Sequence, residues 1–244
     1  MRQATTAWIM ALTGLALVTG CGKKEMDEEK AREVESFLEE VSEVTNLHLD
    51  RYMAVHSRFL EVRNEEPGTP LQAGKAPFGG TAADSENPNT HILFYDSTVD
   101  DRFPTKYKDL SYWRGVSALT AMLETPRGVK ADLDQQVWDP FQKIQFEEFA
   151  LALEEFQYVV IVRGKTEKAV VEAGKKTGYR PGFFSGAGFV FEVGSGKYLG
   201  QYPVKASSQA EVHHGSGTDA QKAVDDDLER QTRAAARRGL EKYR

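Results

Sequence analysis

Apolar positions along the chain change their spacing several times, and each change marks an element. Between Glu25 and about Arg63 no Pro or Gly interrupts, and Val34, Leu38 and Val41, then His48, Tyr52, Val55, Phe59 and Val62 recur at steps of three and four residues. That spacing puts them on one stripe of a helix. Phe37, Val44 and Leu47 flank the stripe, while Glu33, Glu35, Glu39, Glu40 and Glu43 fill much of the other face. A continuous helix over 25–64 is roughly 55 to 60 Å long at 1.5 Å per residue. Thr45-Asn46, a pair of weak helix formers, marks an expected break. The segment 65–90 carries Pro67, Gly68, Pro70, Gly74, Pro77, Gly79, Gly80 and Pro88, a density of breakers that predicts a mobile linker.

The stretch 91–217 mixes both periods. His91 to Tyr95 predicts a short strand, and Leu110, Trp113, Val116, Leu119 and Leu123 predict a helix over 109–123, stopped by Thr125-Pro126. Asp139, Pro140 and Gln142 have the order of a capping box, ahead of a helix whose buried stripe is Phe146, Phe149, Leu153 and Phe156. Tyr158 to Val162 is a β-branched run of the kind found at the centre of a sheet. Phe189, Phe191 and Val193 alternate with Val190 and Glu192, and the turn Gly194-Ser195-Gly196-Lys197 leads into Tyr198 to Val204, which predicts an antiparallel hairpin. Thr218 and Gln221 then open a C-terminal helix over 218–244 with Val224 and Leu228 as core residues. The expected fold is α+β: a long N-terminal helix, a small mostly antiparallel sheet covered by helices, and a C-terminal helix.

Charge and composition narrow the functional classes. Formal net charge is −6, so the chain lacks the overall positive field that nucleic-acid binding requires. A single cysteine, Cys21, excludes an internal disulfide and a Cys-type zinc or iron-sulfur site. Asp96, Asp100 and Asp101 miss the alternating ligand spacing of a calcium loop, and Gly74-Lys75 lacks the rest of a phosphate loop. His48 with His56, and the adjacent His213-His214, have no partner at chelating spacing, so no metal and no bound cofactor is expected. One local cluster is basic and aromatic: Arg163, Lys165, Lys168, Lys175, Lys176 and Arg180, interleaved with Tyr179, Phe183 and Phe184. Such a cluster suits an anionic lipid, a glycan or an acidic partner, and Arg163, Lys165, Lys175, Lys176, Tyr179 and Arg180 are its candidate binding residues.

The N-terminus carries the most specific motif. Residues 1–20 have a basic start at Arg2 and an apolar core from Ala7 to Val18, the layout of an export signal. At roughly a dozen residues, that core falls short of the about 20 needed to cross a bilayer. Val18-Thr19-Gly20-Cys21 resembles the lipobox of bacterial lipoproteins. The resemblance covers only the first two dozen residues. It implies removal of 1–20 and diacylglycerol on the Cys21 thiol, followed by acylation of the new amino group. Loss of Arg2 with the leader makes the remaining chain one unit more negative. Gly22 rather than Asp follows the cysteine, which resembles lipoproteins sorted to the outer membrane, facing the periplasm. Two or more acyl chains hold a protein stably on a membrane, and residues 21–24 form only a short tether before the first helix.

No nucleophile, base and orienting group recur at a spacing that identifies an enzyme, so no catalytic residue is assigned. The expected role is a non-enzymatic interaction or structural module that binds other envelope proteins. A periplasmic ligand-binding or sensory domain is the alternative, and a hydrolase using His91 with Asp96 or Asp101 is a third.

Overall fold

The computed structural model describes residues 28–64, 68–74, 78, 89–95, 106, 113–114, 117–134, 139–171, 179–209 and 219–243. Helix α1 (Glu28–Val62) is a single run of 35 residues, about 52 Å long at 1.5 Å per residue. The break expected at Thr45-Asn46 is absent: the Asn46 side-chain amide donates to the Ser42 carbonyl at 2.7 Å, and Thr45 is buried. Packing along the stripe overrides the weak propensity of two residues, which amounts to well under 1 kcal/mol each. Val34, Phe37, Val41, Tyr52, Val55, Phe59 and Val62 are all buried.

The remaining elements are β1 (Thr90–Tyr95), β2 (Trp113–Arg114), α2 (Ser117–Asp134), α3 (Phe141–Glu155), β3 (Tyr158–Glu167), β4 (Val170–Val171), β5 (Tyr179–Arg180), β6 (Phe183–Glu192), β7 (Tyr198–Ser207) and α4 (Ala220–Glu241). Among the described residues one sheet has the order β2-β1-β3-β6-β7, and β4-β5 form a separate two-stranded ribbon. Neighbouring strands are antiparallel except β1 and β3, which run parallel. The fold is therefore α+β with a mostly antiparallel sheet, as the sequence predicts.

Strand β3 takes the centre because its first five residues, Tyr158 to Val162, are buried on both faces. Alternation sends Val159 and Ile161, with Phe189 and Phe191 of β6, into one core shared with α1, α2 and α3. Phe59 meets the Phe189 ring edge-on at 5.4 Å, and Phe37 meets Phe146 at 5.7 Å. Tyr158, Val160 and Val162 enter a second core with Val190, Tyr202, Val204 and the α4 residues Leu228, Ala236 and Leu240. Each fully buried large side chain contributes about 1.5–3 kcal/mol.

Helix α4 lies unusually close to the sheet. A Cβ on Gly239 would stand 2.6 Å from Tyr202 Cε2, and one on Gly188 would stand 2.6 Å from Tyr202 Cζ. The Tyr202 ring thus fills the space that two missing side chains leave, and its hydroxyl donates to the Ala236 carbonyl at 2.9 Å.

Several expectations are corrected. Pro126 does not stop α2, which begins at Ser117 and continues to Asp134. The ring leaves the Met122 carbonyl without its usual donor, a defect of about 3 kcal/mol. The turn beyond it carries Val129, which is completely buried. The expected linker 65–90 is docked wherever it is described. Leu71 N donates to Gln201 O and Gln201 N to Thr69 O, both at 2.9 Å, and Leu71 and Phe78 are buried. Burial of these two apolar side chains offsets the entropy that a Pro/Gly-rich segment retains when free.

The passage from Arg163 to Gly186 is strand at both ends. Register pairs run from Arg163↔Ala187 to Glu167↔Phe183. The cap of α4 is Asp219 rather than Thr218, with Asp219 Oδ1 accepting from Gln221 N at 2.8 Å. The Gln221 side chain instead ties the ribbon down, donating to the Ala169 carbonyl at 2.8 Å and accepting from Val171 N at 3.3 Å. Ahead of α3, Asp139 Oδ1 accepts from Phe141 N at 2.9 Å, and Pro140 in helical conformation stands directly before the first helical residue.

Candidate functional site

Helix α1 ends at Val62, whereas the strands beneath it continue. In the registers of β3, β6 and β7, three rows cross the sheet beyond that point: Arg163–Ala187–Pro203, Lys165–Ser185–Lys205 and Glu167–Phe183–Ser207. A period of two places these nine residues on the face that carries Ile161 and Phe189 further back. Lys165, Glu167, Phe183, Ser185, Pro203, Lys205 and Ser207 are exposed, Phe183 to 50%. The opposite face of the same rows is closed under α4, with Phe184 and Val204 buried. Among the described residues, nothing takes the place of α1 over this half of the sheet face, because the helix is shorter than the strands it covers.

Arg163 marks the boundary. Its Nη1 donates to the Arg63 carbonyl at 2.7 Å and to Asn64 Oδ1 at 3.1 Å. The guanidinium thus satisfies an acceptor at the C-terminal end of α1, where the helix dipole favours a cation. These hydrogen bonds give Arg163 a structural role at the helix end. Lys165 and Lys205 are different: neither forms an ion pair with a described residue. Two strand spacings of about 4.8 Å separate their strands, so the ammonium groups rise from positions roughly 10 Å apart, with the Ser185 hydroxyl between them and the Phe183 ring one row beyond.

Of the other candidates, those that are described belong to the separate β4-β5 ribbon rather than to these three strands. Arg180 is exposed on the β4-β5 ribbon, opposite Val170, and Tyr179 pairs through its backbone with Val171. Lys175 and Lys176 lie outside the described residues, as does Cys21. Sequence reasoning missed Ser185, Pro203 and Lys205. The signal that joins them to Lys165 is strand register, and a bulge between Val190 and Phe191 shifts that register by one residue from what the turn alone implies.

Two histidines lie in apolar seams away from this face. His48 sits between α1 and α3 with its side chain 1% exposed, its Nε2 3.7 Å from Glu154 Oε1. That oxygen also accepts from Arg51 Nη1 at 2.8 Å. Burial holds the imidazole below its ordinary value; Glu154 opposes this and Arg51 reinforces it. The His91 ring stacks on Phe156 at 4.5 Å, and the carboxylates weighed as its partners, Asp96 and Asp101, lie outside the described residues. Among the described residues no three His, Cys, Asp or Glu side chains gather closely enough to hold a metal ion, and no helix is long and apolar enough to cross a membrane.

The chain matches none of the family models, curated proteins or solved structures compared with it. Its chemistry must be read from its own residues. An open surface with two ammonium groups, a hydroxyl and an aromatic ring favours a partner bearing anionic and apolar groups together. Ser185 lies in one row with the two lysines.

Proposed function

We propose that this is a lipid-anchored bacterial envelope protein, held through Cys21 on the periplasmic side of the outer membrane, that works as a non-enzymatic interaction module. The open half of the sheet is its binding face. The observation that carries this reading is the row Lys165–Ser185–Lys205 beside Phe183, left uncovered where α1 ends. The resemblance of Val18-Thr19-Gly20-Cys21 to a lipobox supports the anchor. Six residues separate Cys21 from Glu28, so the contour of the chain keeps the start of α1 within about 25 Å of the acylated sulfur.

Two variants in intact cells test the two halves separately. Cys21→Ser is expected to move the protein from the membrane pellet to the soluble fraction, and retention in the pellet refutes the anchor. Lys165→Glu with Lys205→Glu is expected to leave the protein in the membrane while abolishing its crosslinks to other envelope proteins. An unchanged crosslinking pattern refutes the binding face.

A further inference from the structure

Helix α3 is apolar on two opposite sides. Phe146 and Leu153 point into the core, whereas Phe141, Ile144 and Leu151 are 54%, 51% and 66% exposed. At 3.6 residues per turn, Ile144, Glu148, Leu151 and Glu155 follow one line along the outer surface, and Glu148 and Glu155 are exposed. The outer side of α3 therefore alternates apolar and acidic groups. On the open half-sheet the apolar residues Ala187 and Pro203 lie one row before the basic residues Lys165 and Lys205 and Phe183 one row beyond, with the exposed Glu167 at the β3 edge of that last row. The spacings agree as well: Glu148 and Glu155 are seven residues apart, about 10.5 Å along a helix, against the roughly 10 Å between the strands of Lys165 and Lys205.

Within one molecule the two surfaces cannot meet. The residues that seat α3 in its own core, Phe146 and Leu153, lie about 160° around the helix from Ile144 and Leu151, so its outer side faces away from its own sheet.

We propose that the protein associates with itself head to tail, the outer side of α3 in one copy lying across the open half-sheet of the next. This rests on the open half-sheet being the binding face, and does not depend on the lipid anchor. A contact of this kind uses two different surfaces and so builds a row or a ring rather than a closed two-fold dimer. Three strands by five residues offer a footprint of roughly 15 by 17 Å, far below the about 800 Å² per partner of a stable interface. Association is therefore transient in dilute solution and is favoured where copies are concentrated, as on a membrane surface.

The test uses the mature chain with Cys21→Ser, purified, in sedimentation velocity up to several hundred micromolar. The expected result is a sedimentation coefficient that rises with concentration. Lys165→Glu with Lys205→Glu, and separately Glu148→Lys with Glu155→Lys, are each expected to weaken association at least about tenfold by placing like charges face to face. An equimolar mixture of the two variants restores it, because each then offers the surface that the other lacks. All four positions are exposed, and circular dichroism verifies that both variants are folded. A wild-type chain that stays monomeric throughout overturns the proposal, and so does a mixture that fails to recover. If those results coincide with lost crosslinks for the lysine variant in cells, the face binds a different partner and only self-docking is refuted.

Discussion

Replacing Gly239 with Ala sets two effects of known sign against each other. In the interior of a helix, Ala is favoured over Gly by about 0.8–1.0 kcal/mol, so propensity alone predicts a more stable protein. The added methyl, however, would stand 2.6 Å from Tyr202 Cε2 and 2.8 Å from Cδ2. The ring has little room to yield, because it lies over Gly188 on one side and its hydroxyl is held by the Ala236 carbonyl. Overpacking of this kind costs about 1–3 kcal/mol, and the net expectation is a loss of about 1 kcal/mol. In a Tyr202→Val background the ring is gone, and the nearest remaining atom is Pro203 O at 3.7 Å. There Gly239→Ala is expected to stabilise by about 1 kcal/mol, although Tyr202→Val itself costs about 3–5 kcal/mol. Urea denaturation of the four proteins, followed by circular dichroism, gives the coupling between the sites, expected at about 1–3 kcal/mol. Equal stabilisation by Gly239→Ala in both backgrounds would refute the seating of α4 on β7.

Three further outcomes test other parts of the fold. The native state disfavours protonated His48, so its contribution is complete above about pH 6.5 and is lost as pH falls from there through the lower value of the folded protein; His48→Gln should flatten this part of the urea-midpoint profile between pH 7.5 and 5, and an unchanged slope refutes the burial argument. Phe59→Ala, which removes a ring packed against Phe189, Phe191 and Tyr95, should cost about 3–5 kcal/mol in the same denaturation assay, and a loss under about 1 kcal/mol means α1 is not seated on the sheet. Gln221→Ala should speed hydrogen exchange at the Val171 amide, whose acceptor it removes, whereas unchanged exchange means the ribbon is held by other contacts.

The long helix and the central strand were legible because their patterns are strong. An uninterrupted apolar stripe from Val34 to Val62 has one solution, and Tyr158 to Val162 is too apolar to sit anywhere but between two layers. What escaped the sequence was decided by contacts far along the chain. Pro126 reads as a stop, yet Val129 beyond it is in the core. Thr69 to Leu71 read as free chain, but β7 offers its edge at Gln201. The open face was half visible. Lys165 stood in a basic cluster, but counting back from the 194–197 turn sets Val204, not Lys205, opposite Ser185. The bulge at Val190 and Phe191 moves the pairing by one, and a one-residue slip exchanges the two faces of a strand. No local pattern announces that shift.

Helix α1 precedes every described strand, but two of the three rings packed on Phe59 arrive late. Phe59 waits for Phe189, 130 residues further on. At a synthesis rate of about 5–20 residues per second, that gap lasts on the order of ten seconds. Throughout it, the greasy side of a nascent α1 has of its own sheet only β1, through Leu93 and Tyr95, and later the start of β3 to adhere to, so that part of the stripe stays open to neighbouring chains until β6 is made.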